Sequence, residues 1–170
     1  MIDPFHAAPG FDDPMGVLRA CHRRMERQLA TLGRLCRHVP ANHADSDART
    51  AAAAIIRYFD TAAANHHADE ERTLLPRLLT VRPDLSDLCS QIEDEHADLG
   101  DRWRRLRPRL AAVAVGRSGY LPLREVDAFR MGYTTHIAKE EESLFDVAQT
   151  ALDAAILAEI GEEMAARRNL

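Results

Sequence analysis

Four stretches of this chain carry apolar side chains at alternating three- and four-residue spacing, and a histidine sits within each stripe. The first runs Leu18, His22, Met25, Leu29, Leu32 and Cys36. The second runs Phe59, Ala63, His66, Glu70 and Leu74, behind Ile55 or Ile56. The third has Leu85, Leu88, Ile92, His96, Leu99, Trp103, Leu106 and Leu110, and the fourth Phe129, Tyr133, His136, Glu140, Leu144 and Val147. Such spacing gathers side chains on one face of an α-helix. Long helices with short connections predict an all-α fold, an antiparallel up-down-up-down four-helix bundle. Leu152, Ile156, Ile160 and Met164 add a C-terminal helix.

Turn residues divide the chain into an N-terminal arm (1–13), the bundle (14–150) and a C-terminal helix packed on it (151–170). Asp13 followed by Pro14 reads as an N-cap and first helical position, and Pro40 is expected to end this helix. Ser46 or Asp47 should cap the second helix, about 47–79, which Pro76 kinks or stops. Arg82-Pro83-Asp84 makes a turn, Pro108 distorts the end of the third helix, and residues 116–119 form a linker before a fourth helix near Pro122.

At 170 residues the chain suits one domain. Its net charge of −5 recommends neither nucleic acid nor an anionic membrane as partner. The run Arg102-Trp103-Arg104-Arg105-Leu106-Arg107 reads as a solvated face with Trp103 and Leu106 turned inward. Cys21, Cys36 and Cys89 lack a C-x-x-C pairing and read as reduced core thiols of a cytoplasmic protein. No apolar run reaches the roughly 18–20 residues of a membrane span, and no signal-like N-terminus is seen.

The histidines His22, His66, His96 and His136 also coincide in depth. At 1.5 Å per residue, antiparallel packing brings all four to within about one turn of a common level. His66 and Glu70 are four apart, as are His67 and Glu71, and the phase of the stripe turns the first pair inward; Glu140 follows His136 in the same way. Buried carboxylates require protons or cations, and the inward stripes carry no lysine or arginine. This set exceeds the four ligands of a tetrahedral zinc and suits two metals bridged by carboxylates in a bundle core. Nitrogen and oxygen donors without thiolate point to iron, with manganese and zinc as alternatives. His67 is either a fifth imidazole or a boundary residue. His6, His38 and His43 read as surface residues, although His43 is a secondary ligand candidate.

In these residues the chain resembles the hemerythrin-like (HHE cation-binding) family. The likeness covers roughly 14–148 and rests on His22, on His66-His67-Ala68-Asp69-Glu70-Glu71 before Leu74-Leu75-Pro76, on Glu95-His96 and on His136-Ile137-Ala138-Lys139-Glu140-Glu141. It implies a centre of two non-haem irons, with Glu70 and Glu140 bridging, histidines as terminal ligands and an oxo or hydroxo group completing the bridge. The chain departs from oxygen-carrying members in two ways. Positions four either side of His96 are Ile92 and Gly100, where a second histidine would stand. The fourth helix has His136-x3-Glu140, with Glu141 as a five-on alternative, in place of His-x4-Asp.

Members with this reduced set look more like sensors, iron or nitric-oxide handling proteins or peroxide-responsive proteins than oxygen stores. The leading expectation is a di-iron protein binding dioxygen, nitric oxide or peroxide. A di-iron oxidoreductase consuming peroxide or nitric oxide and a metal-free interaction module are the alternatives, and a homodimer is compatible with each. Binding is favoured over catalysis because no separate acid/base group stands out. Tyr133 is the inward redox-active side chain, with packing as its first reading.

Overall fold

A computed structural model describes residues 9–170; the first eight residues of the arm, with His6, lie outside them. Helix α1 spans Pro14–Asn42, its first turn capped by the Asp13 carboxylate accepting from the Gly16 amide at 2.9 Å. It continues two residues past Pro40. The cap of α2 (Ser46–Asp60) is Asp45, not Ser46 or Asp47: its carboxylate accepts from Ala48 N at 2.8 Å and from His38 Nε2 at 2.8 Å.

The helix expected over 47–79 is interrupted twice. Thr61 leaves helical geometry, and its hydroxyl donates to the Arg57 carbonyl at 2.7 Å, a local bond that competes with the amide ladder. The chain resumes as α3 (Ala62–Asp69), passes through a π-helical turn over Glu70–Leu74, and ends in α4 (Leu75–Val81). In the π turn the Leu75 amide bonds the Glu70 carbonyl, five residues back. Pro76 therefore neither stops the helix nor sets its end. The turn Pro83–Leu85 leads to α5 (Ser86–Ala114), which runs through Pro108. Gly116 at φ +75° turns the linker, a conformation that glycine adopts without strain.

Helix α6 (Leu123–Glu140) runs into a second π turn, Glu141–Phe145, followed by α7 (Asp146–Ala151) and α8 (Ala154–Ala166). No proline follows this second turn, so proline is not the shared cause. Each π turn does coincide with an inward glutamate, and such turns recur at functional sites. The widened turn also buries neighbouring residues together, Leu74 with Leu75 and Leu144 with Phe145.

The architecture is a four-rod helical bundle with an extra C-terminal helix, and no strand occurs among the described residues. It has two apolar cores. One holds Met25, Leu29, Leu32, Ile55, Phe59, Leu99, Leu106, Phe129 and Tyr133. The other holds Met15, Leu18, Leu74, Leu75, Leu78, Ile92, Leu144, Phe145, Ile160 and Met164. Helix α8 thus helps to build the second core. Gly161 lets it approach Phe11 so closely that a side chain there would strike the Phe11 carbonyl.

The Arg-rich run lies largely at the surface: Leu106 is buried, Trp103 is half-buried, and Arg102, Arg104 and Arg107 pair with Asp98, Asp101 and Asp60. All three cysteines are free and buried. No described helix is long and apolar enough to cross a membrane.

Candidate metal centre

Between the two apolar cores lies a polar layer of His22, His66, Glu70, His96, His136 and Glu140, each at most 5% exposed. The helices deliver one histidine each, and the π turns begin beside the two glutamates. His22 Nε2 and His66 Nε2 stand 3.0 Å apart, as do His96 Nε2 and His136 Nε2. The carboxylates sit between these pairs. Glu140 lies 3.0 Å from His22 Nε2, 3.0 Å from His136 Nε2 and 3.4 Å from His96 Nε2. Glu70 lies 3.2 Å from His66 Nε2 and 3.4 Å from His96 Nε2. Two four-residue groups follow, His22/His66/Glu70/Glu140 and Glu70/His96/His136/Glu140, and both contain the two carboxylates.

The outer nitrogens determine what the inner ones offer. His22 Nδ1 donates to Glu141 at 2.9 Å, His96 Nδ1 to Glu71 at 2.8 Å and His136 Nδ1 to Glu95 at 2.9 Å. An ionised carboxylate only accepts, so each neutral imidazole carries its proton on Nδ1 and turns an Nε2 lone pair inward. Glu95 is itself held by Lys139. Each bond joins two different rods, so the centre is braced from rod to rod. His66 Nδ1 has no such partner; the Cys21 thiol beside it lies below its usual range, because His66 and Arg24 outweigh the upward push of burial.

All four oxygens of Glu70 and Glu140 are buried, and the polar atoms nearest them are the inward Nε2 atoms of the same histidines. Lone pairs from imidazole and carboxylate therefore converge on one buried volume, an arrangement that a cation or protons must compensate. Protons do so in the cation-free protein. Burial opposes charge on His66, yet Glu70 and Glu140 hold it up to about 10. His96 is likewise raised against burial, to about 11, by bonds to Glu140, Glu70 and Glu71. The imidazoles in turn hold both Glu70 and Glu140 low despite burial and their mutual repulsion. The donor set fits metal on this ground: it is acceptor-rich, buried and convergent.

His67 belongs to the same neighbourhood. Its ring stacks on His96 with centroids 4.0 Å apart, its Nε2 is buried without a partner, and it forms a third group with His96 and His136. Burial, followed by the charges of His96 and His66, keeps it well below the usual histidine range. Tyr133 packs 5.9 Å from His67, and burial pushes its hydroxyl upward. His38 and His43 lie away from the centre, His38 on Asp45 and His43 exposed at the end of α1.

Glu95 was not singled out as a partner by its spacing. Its adjacency to His96 hides the fact that it serves His136, on the next rod. The buried Asp69 was also missed, since its partners Arg167 and Arg168 are about 100 residues away.

Residues 13–148 match the family described as the Hemerythrin HHE cation binding domain. A Haemophilus influenzae protein, described as uncharacterized, is 30% identical over 160 residues, which cover 94% of this chain and 92% of that protein.

Proposed function

The chain belongs to the hemerythrin HHE cation-binding domain family, and from that premise we propose that it is a non-haem di-iron protein binding a small ligand in its bundle core. Dioxygen, nitric oxide or peroxide would be that ligand, in sensing, iron handling or stress response. One observation carries the two-metal reading: Glu70 and Glu140 each stand between the His22/His66 pair and the His96/His136 pair. A single ion would leave one pair of inward lone pairs unused. Iron is favoured by mixed nitrogen and oxygen donors without thiolate.

His67 is read as the fifth imidazole, replacing from the second rod the histidine that α5 lacks at Ile92 and Gly100. One side then offers His96, His136 and His67, and the other only His22 and His66. The side with fewer donors would take the small ligand, and Phe145, stacked on His22 at 5.1 Å, lies against it. Bound iron would supply the redox chemistry and ligand affinity. The protein's part is to hold the donors, orient them through Glu71, Glu95 and Glu141, and exclude water.

Anaerobic protein loaded with ferrous iron and then exposed separately to air, nitric oxide and peroxide tests this reading. A new near-ultraviolet charge-transfer band with at least one ligand is expected, without sustained consumption of peroxide or nitric oxide. Absence of any spectral response would refute the small-ligand role, and sustained turnover would favour an oxidoreductase.

A further inference from the structure

Helix α8 and the turn that closes it lie beyond the stretch that matches the family, yet Arg167 and Arg168 of that turn reach the residue next to Glu70. Asp69 is fully buried, and its carboxylate accepts from Arg167 Nη1 and, at 2.5 Å, from Arg168 Nη2. Within the π turn, Thr73 Oγ1 accepts from Arg167 Nη2 at 3.1 Å and donates to Glu163 at 3.1 Å. Arg77 completes the tie, bonding Glu163 at 2.5 Å and the Thr73 carbonyl at 3.1 Å. The turn that begins at Glu70 is thus held to the C-terminal helix by side chains just before, within and just after it.

We propose that Asp69, Arg167 and Arg168 are positioning residues for Glu70, so that the C-terminal helix latches one of the two shared carboxylates of the metal centre. This rests on reading the site as a metal centre. A π turn holds one residue more than an α-helical turn; released from its ties, it can shift toward α-helical register and rotate the residues around Glu70. Without Arg167 and Arg168 the Asp69 carboxylate would be buried with no partner for its charge. Moving outward to water, it would carry the adjacent Glu70 from between His66 and His96. The second π turn has no such buried triad, since Asp146, just past it, meets Arg19 at the surface at 2.6 Å. The latch therefore acts on Glu70 and not on Glu140.

The test compares full-length wild type with R167A/R168A, R167K/R168K and the triple variant D69N/R167A/R168A. Each is loaded with ferrous iron without oxygen and challenged with a ferrous chelator, and the thermal midpoint of each metal-free form is recorded. The double alanine variant should release iron at least about ten-fold faster, with substantial rescue by lysine. The triple variant removes the stranded buried charge, so its metal-free midpoint should recover toward wild type while fast release persists. Release at the wild-type rate in the triple variant would overturn the proposal and reduce the arginines to charge partners of Asp69. Wild type that retains no iron would instead refute the metal reading, and this inference with it.

Discussion

The Nε2 atoms of His22 and His66 face each other at 3.0 Å from positions 44 residues apart in the chain. With neither atom bonded to a carboxylate other than Glu70 and Glu140, this pair defines one half of the centre. His22→Ala is expected to leave the other half intact. Metal content should fall from about two to about one per chain, as measured by elemental analysis after desalting. Full retention of both metals would remove His22 from the ligand set.

Glu95 bonds His136 Nδ1 and touches no inward nitrogen. Glu95→Gln keeps the shape but weakens the acceptor that orients the ring. Metal affinity should drop by about 10–100-fold with little change in helicity, as followed by competition against a chelator. An unchanged affinity would mean that packing alone orients His136.

In the metal-free protein the buried histidines and glutamates contribute pH dependences of opposite sign. In the metal-free protein, His66 and His96 titrate near 10 and 11, above the unfolded value of about 6.5. Their stabilisation is complete below about pH 6.5 and is lost as pH rises through those folded values. Glu70 and Glu140 are held low, so their contribution exists above about pH 4.5 and disappears on acidification. The thermal midpoint of the metal-free protein should therefore fall by more than about 4 °C between pH 6 and 9.5. Metal must displace the protons of His66 and His96, so loading should release about two protons at pH 8, measured by calorimetry in buffers of different ionisation enthalpy.

Phe129 is fully buried in the core opposite α8 and contacts Phe59, Trp103 and Tyr133 at centroid distances of 5.1–5.6 Å. Phe129→Ala should cost about 3–5 kcal/mol of stability through the cavity it leaves. Because the polar layer has its own bracing, metal stoichiometry at low temperature should be unchanged. Denaturant unfolding and elemental analysis on the same sample check both statements.

Much of this fold was legible because helical periodicity is a local signal. The stripes through Leu18 and His22 or Ile92 and His96 expose it directly, and the shared depth of four histidines follows from helix rise alone. The π turns were not legible, since an inserted residue leaves the composition unchanged. In hindsight the adjacent buried pairs Leu74-Leu75 and Leu144-Phe145, each a turn past an inward glutamate, carry their trace. The bonds of Glu95 to His136 and of Asp69 to Arg167 and Arg168 join residues far apart in the chain, and no periodicity encodes such partners.

The most direct test of the central claim is metal content of ferrous-reconstituted protein after exhaustive desalting, wild type against Glu70→Ala/Glu140→Ala. Shared carboxylates predict about two irons per wild-type chain and almost none in the double variant, which lacks both carboxylates that stand between the histidine pairs. Equal iron in the two proteins, or none in wild type, would contradict the account.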